Sequence, residues 1–193
     1  MDRLRRGWTR ALVIGACVAL VGFVVYAVVA ATTTTANPSS GTFPKVPAPS
    51  ALGAGHRAPS FELSRLGYGT AVSLGNRTLP VVINFFASWC HDCVAELHAF
   101  GEVANRSSGV RFVGIDALDP SPKTALKLLH SAHIRYPVGV DRNGNVVDRY
   151  LISALPVTFF VSRSGVVAGE LFGTATVRAL TEWVRYIGGK TSV

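Results

Sequence analysis

Two cysteines three positions apart, Cys90 and Cys93, are the residues of this chain best suited to chemistry. They follow Val81-Val82-Ile83-Asn84-Phe85-Phe86-Ala87, an apolar run of strand length rich in β-branched and aromatic residues, and they open a segment whose apolar spacing is helical. A strand thus delivers a dithiol to the start of a helix. The first turn of a helix has unpaired backbone N–H groups and the positive end of the helix dipole, and both favour a thiolate over a thiol. Cys90 is therefore expected to be the reactive sulfur. Cys93, one turn on, points to the same face and lies near enough to close a disulfide with it without backbone movement.

The rest of the composition sets the frame for that dithiol. A chain of 193 residues with 49% hydrophobic content supports one compact domain with appendages. The net charge of +8 owes much to Arg3, Arg5, Arg6 and Arg10, and no Lys/Arg cluster interleaves with aromatics, so nucleic-acid binding is not expected. Residues 1–10 are a basic N-terminus, expected in the cytoplasm. Ala11 to Ala31 is an uncharged run of about 20 residues, enough to cross a hydrocarbon core of roughly 30 Å as a transmembrane anchor. Basic residues before it and none just after it place everything from Thr32 onward outside the cytoplasm, giving a single-pass cell-membrane protein with an extracytoplasmic C-terminal domain.

Two other readings of the N-terminus compete with this anchor. A cleaved signal peptide has a shorter apolar region, and the candidate site after Ala36 is indifferent. Ile14-Gly15-Ala16-Cys17 has the form of a lipoprotein box, but the apolar run continues well past Cys17, so that cysteine reads as a small apolar helix residue. With Cys17 so placed, the soluble part has only Cys90 and Cys93, and no structural disulfide framework. Residues 32–57, rich in Thr, Pro and Ser, form a flexible linker that cannot bury enough surface to offset its ordering entropy. The domain is expected over residues 58–193.

Within it, Phe61 to Leu63 and Thr70 to Leu74 predict a short edge hairpin, and Val81 to Ala87 a central strand apolar on both faces. Val94, Leu97, Phe100 or Gly101, and Ala104 carry a helical stripe closed by Gly109. Val110 to Asp116 predicts a strand, Pro122 to Ala132 a helix, Tyr136 to Val140 a strand closed by an Asp-Arg-Asn-Gly turn, and Val146 to Tyr150 a short helix. Leu155 to Val161 and Val166 to Leu171 predict a hairpin, and Thr174 to Ile187 a closing amphipathic helix. The order is βαβ with an extra αβ unit, then a β-hairpin, then α.

With these elements in place, Phe85-Phe86-Ala87-Ser88-Trp89-Cys90 resembles the active-site stretch of thioredoxin-fold proteins. Ala58-Pro59-x-Phe61-x-Leu63, Val113-Gly114-Ile115-Asp116, Tyr136-Pro137-Val138, Asp141-Arg142-x-Gly144-x-Val146 and Leu155-Pro156-Val157-Thr158-Phe159-Phe160 resemble its TlpA/ResA-like, membrane-anchored branch. The resemblance covers Ala58 to Ile187. It implies an α/β thioredoxin-like fold, a central mixed sheet flanked by helices, behind an N-terminal transmembrane helix. It implies a thiol–disulfide oxidoreductase whose redox group is the Cys90–Cys93 disulfide, with no other cofactor and no metal. The direction implied is reduction of exported thiol proteins such as apocytochrome c, with electrons from a membrane partner.

Residue by residue, Pro156 matches the cis-proline that lies against the dithiol and exposes the backbone of Leu155 to substrate. Glu96 matches an active-site glutamate suited to moving a proton to or from a buried thiol. Trp89, His91 and Asp92 shape the site. Thioredoxin has a buried acid where this chain has Asn84, and an amide cannot take the resolving thiol's proton, which shifts weight to Glu96 or water. His91, if protonated, would make the disulfide more oxidising, and Asp92 the reverse.

Other chemistries fit less well. An oxidant that inserts disulfides into exported chains uses the same residues. A structural zinc site wants four convergent ligands, and there is no second cysteine pair to join Cys90, Cys93 and His91 or His98. A copper carrier on this fold would need a distal histidine, for which His130 and His133 are the candidates. A peroxiredoxin would want a threonine a few residues before its cysteine, where this chain has Ala87-Ser88-Trp89.

Overall fold

The computed structural model describes residues 52–75 and 78–192. The expected anchor at 11–31, Cys17 and most of the linker lie outside the described residues. In chain order the elements are β1 (Glu62–Leu63), β2 (Val72–Ser73), β3 (Val81–Phe86), α1 (His91–Arg106), β4 (Ser107–Ser108), β5 (Arg111–Ala117), α2 (Pro122–Ser131), β6 (Val138–Asp141), α3 (Asn145–Arg149), β7 (Val157–Val161), β8 (Val167–Phe172), α4 (Val177–Tyr186) and β9 (Lys190–Thr191).

The main sheet has five strands in the order β6-β5-β3-β7-β8. β3, β5 and β6 are parallel, while β7 runs antiparallel to β3 and β8 antiparallel to β7. This is the mixed sheet of a thioredoxin-like fold, as the sequence led us to expect. All six residues of β3 are buried. Its alternate side chains feed two cores, because successive residues of a strand point to opposite faces. Val81, Ile83 and Phe85 join Phe61, Val72, Val146 and Tyr150 on the face covered by the β1–β2 hairpin and α3. Val82 and Phe86 join Leu97, Phe100, Leu129, Leu180 and Val184 on the face covered by α1, α2 and α4.

Local chemistry sets the helix ends. Asp141 Oδ2 accepts from the backbone N–H groups of Val146 and Val147, both at 2.9 Å, and so starts α3. Thr176 caps α4 by accepting from Ala179 N. α1 stops at Arg106, three residues before the Gly109 expected to end it, because Ser107 turns extended and begins a pairing with β9. These two-residue strands carry no alternation that a sequence would display. The domain also begins earlier than Ala58. Leu52 N donates to Tyr150 O, Gly55 N to Val167 O, and Val167 N to His56 O, so the last residues assigned to the linker are bonded to the sheet edge and α3. Their low hydrophobicity hid this, since apart from Leu52, which packs against the hairpin-side core, the contact is made by backbone hydrogen bonds.

Gly101 lets α1 and α2 approach. An ideal Cβ at this position would stand 2.0 Å from the Ala132 carbonyl oxygen, which is backbone and cannot swing aside. Gly101→Ala is therefore expected to lower stability by about 1–3 kcal/mol, the usual range for overpacking. A urea midpoint equal to that of the parent chain would show that the end of α2 is free to shift.

Candidate active site

β3 ends at Phe86, and the turn Ala87-Ser88-Trp89 leads into α1, whose N-cap is Cys90. Cys90 adopts an extended conformation, and its sulfur accepts from the backbone N–H of Cys93 at 3.2 Å. That hydrogen bond comes from one of the unpaired donors of the first turn and stabilises negative charge on Cys90 Sγ. Cys90 and Cys93 form a disulfide with their Cα atoms 5.2 Å apart. Cys90 keeps 8% exposure and Cys93 none, so Cys90 is the sulfur an incoming disulfide or thiolate reaches first. Of the two sulfurs, only that of Cys90 is open to solvent.

Around the sulfurs, Trp89 is exposed, and its indole Nε1 donates to Leu118 O at 3.4 Å. His91 and Asp92 stand exposed on the first turn of α1. The Leu155–Pro156 bond is cis, the isomer the resemblance implies, and Pro156 precedes β7, the strand paired with β3. Leu155 is partly buried and touches both the hairpin-side core and the cysteine-side core. β3 and β7 thus bring Cys90 and Pro156 to the same end of the sheet.

Glu96 is fully buried, not a solvated helix residue. Asn84 Nδ2 donates to its Oε1 at 2.7 Å, and Ala175 N donates to its Oε2 at 2.9 Å. Burial pushes the Glu96 pKa up, the bonds from Ala175 and Asn84 oppose this, and the Asp92 charge adds to it, leaving the group at about 7. Asn84, which cannot itself take a proton, therefore holds the residue that can. Asn84 Oδ1 has no donor, and a protonated Glu96 supplies one once the amide turns over.

Three buried polar groups near the active-site turn escaped the sequence reading. Asp119 is buried beside the active-site turn, where its Oδ2 accepts from Ser88 N at 2.6 Å and its Oδ1 from Ser121 N at 2.8 Å. Asp116 is buried on β5, opposite Phe86. Tyr136 has a buried hydroxyl whose pKa is raised by burial and by the Glu96 charge. Asp116 and Tyr136 belong to motifs singled out in the sequence, but nothing in those motifs signals that they end up behind the dithiol. The histidines weighed as metal ligands, His91, His98, His130 and His133, are all exposed. Among the described residues no three His, Cys, Asp or Glu side chains form a group able to hold a metal ion.

A mixed five-stranded sheet that presents a Cys-x-x-Cys disulfide at a helix N-terminus, with a proline at the start of the neighbouring strand, defines a thioredoxin-like thiol–disulfide oxidoreductase. Comparison with known proteins agrees. The model of the AhpC/TSA family matches residues 54–169, more than half of the chain, and the chain belongs to that family. The thiol-disulfide oxidoreductase ResA of Bacillus thuringiensis subsp. konkukian is 26% identical over 136 residues, 69% of this chain and 78% of that protein. A thio-disulfide isomerase from Thermus thermophilus superposes with a TM-score of 0.60 at 29% identity, covering 72% of this chain and 99% of that one. A DsbF homologue from Corynebacterium diphtheriae, 22% identical, has a TM-score of 0.63 over 74% of this chain and 95% of its own, a likeness of fold. The TlpA/ResA-like resemblance is borne out. The residues before Cys90 remain Ala87-Ser88-Trp89, without the threonine a peroxidatic cysteine wants.

The raised pKa of Glu96 has a sign. The native state keeps a proton that the unfolded chain releases, so stability falls as pH rises from the ordinary carboxyl value of 4.5 to about 7 and is flat above it. A shift of that size corresponds to a cost on the order of 3 kcal/mol at the upper end of this window. In Glu96→Gln the denaturation midpoint should fall less over that window, and exchange with a small disulfide should slow by about tenfold to a hundredfold. If the variant's pH–rate profile overlays the parent's, Glu96 is a structural residue and the proton travels by water.

Proposed function

We propose that this chain is a membrane-attached, extracytoplasmic reductant that uses the Cys90–Cys93 couple to reduce exported thiol proteins, apocytochrome c among them. The observation that carries the direction is the charge around the couple. Asp92 stands in the first turn of α1 and Glu96 is buried one turn beyond Cys93. Negative charge beside a dithiol disfavours the thiolate, keeps the disulfide the more stable form, and lowers the reduction potential. His91 is the one neighbour in that turn that would act the other way.

In the proposed cycle the reduced Cys90 thiolate attacks one sulfur of a substrate disulfide, and the other substrate sulfur leaves as a thiolate. Cys93, as its thiolate, then attacks Cys90 Sγ in the mixed disulfide and expels the second substrate sulfur. The substrate has gained two electrons and this chain has returned to the disulfide. Glu96 accepts the Cys93 proton in the second step, and the expelled thiolates take protons from water. A membrane electron-transfer partner re-reduces the couple, and no cofactor beyond the dithiol takes part. Attachment through Ala11–Ala31 keeps the domain on the outer face, consistent with the basic flank at residues 1–10.

Two measurements test this reading. Equilibration with a thiol redox buffer should place the couple near the thioredoxin value of about −270 mV, and a value near the −120 mV or so of a strong oxidant would make the protein a disulfide donor instead. Protease added to intact spheroplasts should release a soluble fragment of the full chain. A domain protected there would reverse the topology.

A further inference from the structure

Asp116 is a buried carboxyl of this region that the exchange cycle does not use. It sits on β5 opposite Phe86 on one side and Val140 on the other. Its neighbours along the strand, Ile115 and Ala117, point into the hairpin-side core, so alternation turns Asp116 to the face that carries α1 and α2. It is fully buried, and neither of its oxygens meets a hydrogen-bond donor among the described residues. A buried carboxylate with no donor is strongly disfavoured. Three residues on, Asp119 presents its own carboxyl within hydrogen-bond reach. Two carboxylates cannot bond to one another, but a carboxylic acid and a carboxylate can.

The donors decide which of the two holds the proton. Asp119 already accepts from Ser88 N and Ser121 N, one on each oxygen, and a proton there would displace one of them. Asp116 has no donor to lose. We propose that Asp116 is a positioning residue of the dithiol site: as a neutral acid it donates to Asp119, which as a carboxylate holds the Ser88–Trp89 turn that delivers Cys90. The inference rests on the reading of Cys90 as the attacking sulfur. Burial, then the charge and the hydrogen bond of Asp119, push the Asp116 pKa up to about 8 against the pull of Arg142. Burial also pushes Asp119 up, but its bonds from Ser88, Ser121 and Asp116 outweigh this and hold it below the usual value.

The groups around the pair set its pH behaviour. Arg142, which follows β6, and Asp119 act on Asp116 directly. On the same face α1 contributes Cys90, Cys93 and Glu96, and the hydroxyl of Tyr136 lies buried before β6. α2 contributes apolar Ala125 and Leu129, with Lys123 and Lys127 exposed. Below about pH 8 the pair carries one negative charge and the turn is fastened. Above it Asp116 ionises, two anions face each other in a buried site, and the hold on Ser88 weakens just where Cys90 would otherwise grow more reactive.

The test uses the full chain and the conservative variant Asp116→Asn, whose amide donates to Asp119 at every pH. In infrared spectra the parent and Glu96→Gln should both show a protonated-acid carbonyl band that titrates at about pH 8, and Asp116→Asn should lack it. With 5,5′-dithiobis(2-nitrobenzoate) as the disulfide, the ratio of the rate at about pH 9 to that at about pH 6 should be severalfold higher in Asp116→Asn than in the parent. Absence of that band from Glu96→Gln, or superimposable pH profiles for parent and Asp116→Asn, would overturn the inference. If Asp116→Asn does not fold, the spectrum of Glu96→Gln still decides. A reduced parent chain that fails to react with the disulfide at any pH would instead sink the reading of Cys90, and the infrared result would stand apart from it.

Discussion

β3 is hydrogen-bonded along both edges, to β5 in parallel and to β7 in antiparallel register, and every one of its side chains is buried. That double pairing is the constraint on which the site depends. It fixes three chain segments at one end of the sheet: the turn after Phe86 that carries Cys90, the loop after Ala117 that carries Asp119, and the Leu155–Pro156 bond before Val157. None of these segments is regular, and each is held in place by the strand it adjoins. The chemistry then needs only small irregular pieces, because the rigid part of the molecule does the positioning.

The second theme is the cost of keeping carboxyl groups dry. Glu96 and Asp116 both lie on the α1 side of the sheet, and burial raises both pKa values into the neutral range, to about 7 and about 8. Each lowers stability as the pH rises through the span between the unfolded and native pKa values. A hydrophobic pair would serve the fold better. Their presence on the side of the sheet that carries the dithiol fits a site where the local dielectric makes each charge count.

Much of this was legible in the sequence, for identifiable reasons. The strand-then-dithiol arrangement is local, and the reactivity of Cys90 follows from helix-terminus physics that needs no tertiary information. The cis bond at Pro156 and the choice of Glu96 as a residue to look at came through family motifs. What stayed hidden depends on contacts distant in the chain: the bond from Ser88 N to Asp119 spans 31 positions, and the one from Ala175 N to Glu96 spans 79. Asp116 looked like the polar end of an ordinary strand, and only its neighbours make it a buried acid. The backbone bonding of Leu52 to Arg57, and of β4 to β9, has no side-chain pattern to betray it.

That last pairing bears on how the molecule meets electron transfer. β9 joins Ser107 and Ser108 just beyond α1, and Ser192 N donates to Arg106 O, so the far end of the dithiol helix is stitched down. Its near end is tied through Cys90, Ser88 and Asp119. A helix pinned at both tips has no free end to swing when the sulfur–sulfur bond opens or closes. In the disulfide form, then, the fold favours a redox change carried by sulfur atoms, protons and side-chain torsions. A dithiol mounted on a helix held at both tips would present nearly one outline whether loaded or spent.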